Sequence, residues 1–354
     1  MPGDFADLSQ ITVNTDLSFS ISDLLAVLLA HRDLSEEQMR FAIGEIVAGR
    51  CGEAETAALL IGLRMKGESA VEIAAAASVL QKQMIRLDTD REGILDTCGT
   101  GGDGLGTFNI STATALVVAA AGVPVVKHGN RAVSSRSGSA DVLAELGVAV
   151  ESGVAWAHRC LDTVGIAFCF APHFHPALAR VAPLRRRLGV PTLFNYLGPL
   201  LNPAGATFQL LGVARPELLD PLAGALAHLN VRRAVLVCGR DGLDEVTLSA
   251  GTLVREVAGG VVHSREWTPH DFGLASCAPA DLRATDARQS AAVIRAVLEG
   301  QDGPARRVVL ANAAAALWAA ERVASLAEGV ETAAKSLTSG RALQTLEGLV
   351  ACSV

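Results

Sequence analysis

The chain has 354 residues, half of them apolar, with only ten Phe, three Trp and one Tyr; that is room for one large domain or two. Thirty basic residues stand against 37 acidic ones, a net charge of −7, which argues against the basic footprint of a general nucleic-acid binder. Seven cysteines without a C-x-x-C pair read as reduced thiols. No apolar run reaches the roughly 18 residues of a membrane span, and the first residues lack the layout of an export signal. The expectation is a cytoplasmic protein with no membrane or nucleic-acid partner.

Residues 1–17 are polar and aperiodic and read as a flexible tail. From 18 to 90 the pattern is helical: an apolar cluster at 22–30, then segments at 55–65 and 69–85. Ser35-Glu36-Glu37-Gln38 and Ser69-Ala70-Val71-Glu72 have the form of capping boxes, and short Gly-containing turns separate the segments. The apolar excess of Leu24, Leu25, Val27 and Leu28 exceeds what one thin layer buries, so a dimer surface is expected on this unit.

After residue 90 the rhythm changes to short apolar strands (94–96, 123–127, 166–171, 234–238) alternating with helices (111–121, 137–146, 152–164, 284–299). The expected fold class is α/β. A small all-helical domain precedes a larger domain with a central, mostly parallel sheet and surrounding helices. Residues 176–210 interrupt the alternation with helix and turn signals and are expected to complete the helical domain. That leaves 91–175 and 211–354 as the α/β domain.

Ligands of such sheets sit at the carboxyl ends of strands, and the polar loops fall there. In the first, Gly99, Gly101, Gly102 and Gly104 lie within six positions, and Asn109, Ile110, Ser111 and Thr112 open an apolar helix. Bare backbone N–H groups before a helix N-terminus make a phosphate cradle; the plainer reading is a tight turn with ordinary caps. The G-x-G-x-x-G spacing also fits a dinucleotide fingerprint. However, Lys127-His128 stands where that motif needs an acid, about 20 positions on, and Asp103 within the loop repels a bare pyrophosphate.

The second loop runs from Lys127 to Asp141 and offers three cations (Lys127, Arg131, Arg136), an imidazole and several hydroxyls, suited to polyphosphate. In the third, His173 and His175 flank Phe174 and could wall a flat ligand, and Arg185-Arg186-Arg187 follow. One of these arginines could take a carboxylate by a bidentate fork, the others being a solvated helix face. Asp241-Gly242-Leu243-Asp244-Glu245 places paired carboxylates in a turn, suited to Mg²⁺, although such pairs are commonly only surface charge. No spacing suggests zinc, and no G-x-S-x-G elbow supports nucleophilic serine chemistry.

Taken together, the motifs at 99–104, 109–112, 127–131, 137–141 and 244–245, with Phe194 to Pro203 and Asn312 to Ala315, resemble the anthranilate phosphoribosyltransferases of tryptophan biosynthesis, from about residue 20 to 350. The longer tail and Arg186-Arg187 are the departures. The resemblance implies transfer of phosphoribosyl from phosphoribosyl pyrophosphate (PRPP) to anthranilate with Mg²⁺, one ion or two, in a homodimer paired through the helical domain. It implies a PRPP site of Gly99, Gly102, Asp103, Thr107, Asn109, Ile110, Ser111, Thr112, Lys127, His128, Gly129, Asn130, Arg131, Ala132, Val133, Ser134, Ser135 and Ser139. Ser111, Asp244 and Glu245 are implied metal ligands, while Gly99, Asn130, Arg185, His128 and His175 are implied to contact or border anthranilate. Lys127, Asp103 and Arg185 are the expected catalytic residues. A pyrimidine nucleoside phosphorylase and a non-catalytic nucleic-acid-binding relative are the rival readings.

Overall fold

The computed structural model describes residues 19–132 and 136–353; the 1–17 tail and the candidates Val133, Ser134 and Ser135 lie outside the described residues. Four helices open the chain: α1 (Ile21–Leu29), α2 (Glu36–Ala48), α3 (Glu53–Lys66) and α4 (Ala70–Gln83). Ser35 and Ser69 each accept from the third helical N–H while Gln38 and Glu72 reach back, so both capping boxes form. Gly49, at φ +76°, ends α2 in the left-handed region.

The α/β part then runs β1 (Leu95–Gly99), α5 (Ile110–Ala120), β2 (Val125–Gly129), α6 (Ser139–Glu145), α7 (Gly153–Val164) and β3 (Ile166–Phe170). Short helices α8 (Ala171–Phe174), α9 (Ala182–Leu188) and α10 (Phe194–Leu197) follow, then β4 (Phe208–Gly212), α11 (Leu219–His228) and β5 (Arg233–Gly239). A hairpin of β6 (Thr252–Ala258) and β7 (Val261–Trp267) precedes α12 (Ala287–Leu298), α13 (Pro304–Ala319), α14 (Leu326–Thr338) and α15 (Arg341–Ala351). No helix of the described residues is long and apolar enough to cross a membrane.

All seven strands form one sheet in the order β3-β2-β1-β4-β5-β6-β7. The first five are parallel, and β6 and β7 add antiparallel. The fold class expected from the sequence is therefore the one observed, with two omissions. β4 falls at 208–212, where helix and turn signals dominate the reading, and the β6–β7 hairpin has an exposed outer strand whose polar residues hide it.

Strand side chains alternate between two cores, as the period of two requires. Leu210, Val235 and Val237 join α5, α12 and α13 on one face. Leu211, Ala234, Leu236 and Cys238 join α11 and the N-terminal helices on the other. Val181, Leu193, Phe194, Tyr196, Leu197, Leu200 and Leu201 belong to that second core. The irregular 176–203 stretch is thus seated between the N-terminal helices and the sheet.

Candidate active site

From β1 the chain turns through α5 to β2 on one side, while β4 lies on the other, so the strand order reverses between β1 and β4. Such a switch leaves a crevice outside the carboxyl ends of the two strands. Thr100 N donates to Gly212 O at 2.8 Å, and Ala214 N donates to Thr100 Oγ1 at 3.2 Å, fixing the start of the glycine loop against the end of β4. Gly101, Gly102 and Gly104 take φ of +64°, +88° and +71°, where a side chain is strained. At Gly212 the requirement is space: a Cβ there would run into the Asp244 carbonyl, and one at Gly99 would meet the Asp244 carboxylate at 3.0 Å. Glycine at both strand ends lets Asp244 enter the crevice.

Three carboxyl groups crowd this point. Asp103 Oδ1 accepts from Leu105 N at 3.2 Å, but its Oδ2 is buried with no hydrogen-bond partner. Asp244 lies within hydrogen-bonding reach of Asp103, and burial together with that neighbouring charge pushes its pKa up to about 7. Asp103 is raised as well, by burial and then by Asp241. Glu245 is raised well above the usual carboxylate range, by burial and by Asp244, against the opposing pull of Lys127. Lys127 Nζ is buried, donating to Thr97 O and, at 3.1 Å, to Ser111 Oγ. Ser111, whose backbone N–H opposes the rise in the Glu245 pKa, thus stands beside both the lysine and the acids.

Among the described residues no three His, Cys, Asp or Glu side chains are preset as a metal cage. Two facing carboxyls, one with an orphaned oxygen, nevertheless suit a cation that takes few protein ligands and shares the rest with phosphate and water. Asp103, Asp244 and Glu245, with the Ser111 hydroxyl, fit it.

Along the first loop, Thr107 bridges Arg283 and Phe108 N bonds Leu282 O, which lays the loop's far end against the start of α12. Asn109 precedes Ile110 at the N-terminus of α5, but its side chain does not cap the helix. Asn109 Oδ1 accepts the Thr112 hydroxyl instead.

The second loop departs from the expectation of three cations facing phosphate. Arg131 bonds Asp141 at 3.0 Å and Glu151 at 2.5 Å. Ala132 N donates to Asp141 Oδ2 at 2.9 Å, so both groups are already engaged. Asn130 Oδ1 accepts from Arg131 N, Asn130 O accepts from Ala140 N, and Ser139 Oγ presses on Gly129 where a Cβ would stand. Arg136 lies over the glycine loop, its Nε 3.1 Å from where a Gly106 Cβ would stand.

The expected wall of His173 and His175 about Phe174 does not form. Phe174 is core, and His173 meets Phe170 edge-on. His175 instead turns inward to His128, Nε2 to Nε2 at 3.1 Å, and His128 Nδ1 lies 3.0 Å from Gly198 O. Burial lowers their pKa values to about 4 and about 3, the His128 value further by His175, so both rings are neutral.

Arg185, on α9, stacks over Phe194 at 5.7 Å and has no ion-pair partner among the described residues. Its neighbour Arg187 pairs with Glu53 at the surface. A half-buried guanidinium on an aromatic platform without a carboxylate is suited to receive one. Asp96 and Asn202, to which no sequence motif assigns a role, lie buried beside His128 and joined at 2.8 Å. Arg215, equally silent in sequence, donates to the Tyr196 hydroxyl at 2.7 Å. Only an acid inside an apolar run hints at Asp96.

Residues 22–84 match the helical bundle domain of the glycosyl transferase family, and 91–343 match its a/b domain. An anthranilate phosphoribosyltransferase of Rhodopirellula baltica is 48% identical over 336 residues, 95% of this chain and 98% of the relative. A crystal structure of the Thermus thermophilus anthranilate phosphoribosyltransferase superposes with a TM-score of 0.88 at 41% identity, over 93% of this chain and 99% of that one. The Saccharomyces cerevisiae enzyme, in complex with PRPP and Mg, gives 0.87 at 28% identity, over 94% and 97%. The chain belongs to the anthranilate phosphoribosyltransferase family.

Proposed function

We propose that this chain transfers the phosphoribosyl group of PRPP to the amine of anthranilate, releasing pyrophosphate, in tryptophan biosynthesis. The observation that carries the reading is the crowding of Asp103, Asp244 and Glu245, one oxygen orphaned, against a glycine-lined cradle that also holds Lys127. Carboxylates alone repel a diphosphate; carboxylates that hold a cation recruit it. Ser111, Asp244 and Glu245, with Asp103 close by, would hold magnesium, one ion or two, and a cation bound there would supply charge neutralisation for the leaving diphosphate.

The chain's own groups do the rest. Loop N–H groups from Gly99 to Thr112 and the Lys127 ammonium bind the diphosphate and stabilise the charge it gains as the anomeric C–O bond breaks. Arg185 grips the anthranilate carboxylate, setting the amine on the opposite face of the ribose. Alignment of two substrates in one cleft supplies much of the remaining acceleration. The amine is neutral near pH 7 and sheds its proton after attack, so no strong base is needed. Of the second loop, Lys127, His128 and Asn130 remain in the proposed sites, while the engaged Arg131 and Ala132 are given a supporting role.

The helical unit in this reading is 18–90 completed by 176–210, with the cleft between it and the rest. Leu29 on α1 and Met65 on α3, 83% and 75% exposed, support pairing of two subunits through that unit. Unpaired cysteines support a cytoplasmic setting. The test is loss of anthranilate fluorescence on adding PRPP with Mg²⁺, with a nucleoside plus phosphate as control. Turnover of the control alone would replace this reading with a phosphorylase.

A further inference from the structure

The stretch from Phe194 to Pro203 carries its own architecture. Gly198 O takes His128 of β2, Pro199 O takes Gln209 of β4 at 2.6 Å, and Leu200 O takes Gln81 of α4 at 2.8 Å. Pro203 O accepts from Leu87 N at 3.1 Å, after α4. Successive carbonyls of one irregular segment are therefore answered from both sides of the cleft. Its first turn holds Phe194 under Arg185.

The segment's deepest contact is the least expected one. Asp96 is fully buried on a central parallel strand, where both faces are covered and apolar residues are the rule. It accepts from Asn202 Nδ2 at 2.8 Å and from His128 N at 3.3 Å. Asn202 Nδ2 also donates to Val126 O at 2.8 Å, and its Oδ1 accepts from Ala204 N at 3.0 Å, so the amide is fully used. A carboxylate in a sheet interior is costly unless so partnered, and packing alone would be served by a valine.

We propose that Asp96 and Asn202 are positioning residues: their buried contact locks the 194–203 segment, and with it the Arg185–Phe194 platform, in register with the strand ends that carry the glycine loop and Lys127. Neither is a catalytic residue. The inference rests on the function proposed above and assigns a role to a segment that function leaves unused. PRPP is held by the sheet side, where β2 keeps its pairing to β1 and β3 without the clamp, so loosening the clamp spares PRPP binding. The amine, held from the helical side, loses its alignment, and a displacement of about 1 Å costs up to roughly a hundredfold in rate.

The test is Asn202→Ala, with Asp96→Asn as the size-matched variant should the first fold poorly. Expected are a fall in kcat and a rise in anthranilate KM, each about tenfold or more, with PRPP affinity by calorimetry, in the absence of anthranilate, within about threefold of the parent. Backbone amides of 194–201 should exchange faster in the variants. Unchanged kcat and anthranilate KM, or PRPP affinity falling in step with kcat, overturns the proposal. If the parent chain does not turn over anthranilate at all, the functional reading fails, while faster exchange confined to 194–201 still upholds the clamp.

Discussion

Glu72 and Asp244 are both acids ringed by protein, and the molecule treats them in opposite ways. Glu72 accepts from Leu34 N at 2.9 Å, Ser69 N at 2.7 Å and Lys66 Nζ at 2.9 Å, so its charge is fully answered within the helical bundle. Asp244 faces another carboxyl, whose Oδ2 has no donor, and is held near pKa 7 by burial and that repulsion. A structural charge brings its partners with it. Under the proposed function the crevice acids take their partner from solution, and that contrast separates scaffold from proposed site more sharply than residue type does.

Breaking the two sides should give different readouts. The largest effect is expected from replacing Asp244 and Glu245 together with Ala. Turnover should fall by about 10²–10³-fold, by analogy with loss of one preorganised electrostatic group, with the Mg²⁺ requirement shifted upward in a metal titration. On the scaffold side, Lys66→Ala strands Glu72 without its cation and should cost about 3–5 kcal/mol in denaturant unfolding, with activity per folded molecule retained. Arg185→Ala should raise the anthranilate KM about tenfold or more and leave the PRPP KM close to that of the parent, in steady-state assays.

Acid should sharpen the comparison further. The ordinary pKa of histidine is 6.5, and His128 and His175 are held at about 3 and about 4, so the unfolded chain binds more protons below pH 6.5. Their contribution is complete above that pH and is lost as pH falls toward 4. Asp96, raised to about 6, Asp244, raised to about 7, and Glu245, raised well above the usual carboxylate range, act with the opposite sign. The histidine part is therefore read from the difference between two chains: a His128→Gln/His175→Gln variant should lose less Tm, or gain more, than the parent between pH 7 and 5. The smallest effect belongs to Arg187→Ala: its pair with Glu53 is exposed on both sides, and stability should change by no more than about 0.5 kcal/mol.

Much of this was legible in the residues. The glycines at 101, 102 and 104 carry their left-handed turns in sequence, because such turns need that residue type, and the acids at 244–245 stand out as a pair beside a Gly-containing turn. Capping at Ser35 and Ser69 is likewise local and readable. Arg131 was not: its two partners, Asp141 and Glu151, are ten and twenty residues away, and a basic run does not reveal whether its cations are already paired. The pairing of His175 with His128 rather than a wall about Phe174 is a tertiary outcome of the same kind. β4 lay hidden because Phe208 to Gly212 follows directly on the helix and turn signals of 176–210, whereas the equally buried β3 stands within the strand–helix rhythm. Asp96 shows the limit most clearly, since its meaning depends on Asn202, 106 positions away.

In the proposed reaction the diphosphate is seated by the glycine loop and Lys127 through a cation held at Asp244 and Glu245. Calorimetric titration of PRPP into the parent chain and into an Asp244→Asn/Glu245→Gln variant, each with and without Mg²⁺, measures this directly. The account predicts tight binding that needs Mg²⁺ in the parent and loses that dependence, along with most of its affinity, in the variant. Equal PRPP affinity in all four titrations would contradict it.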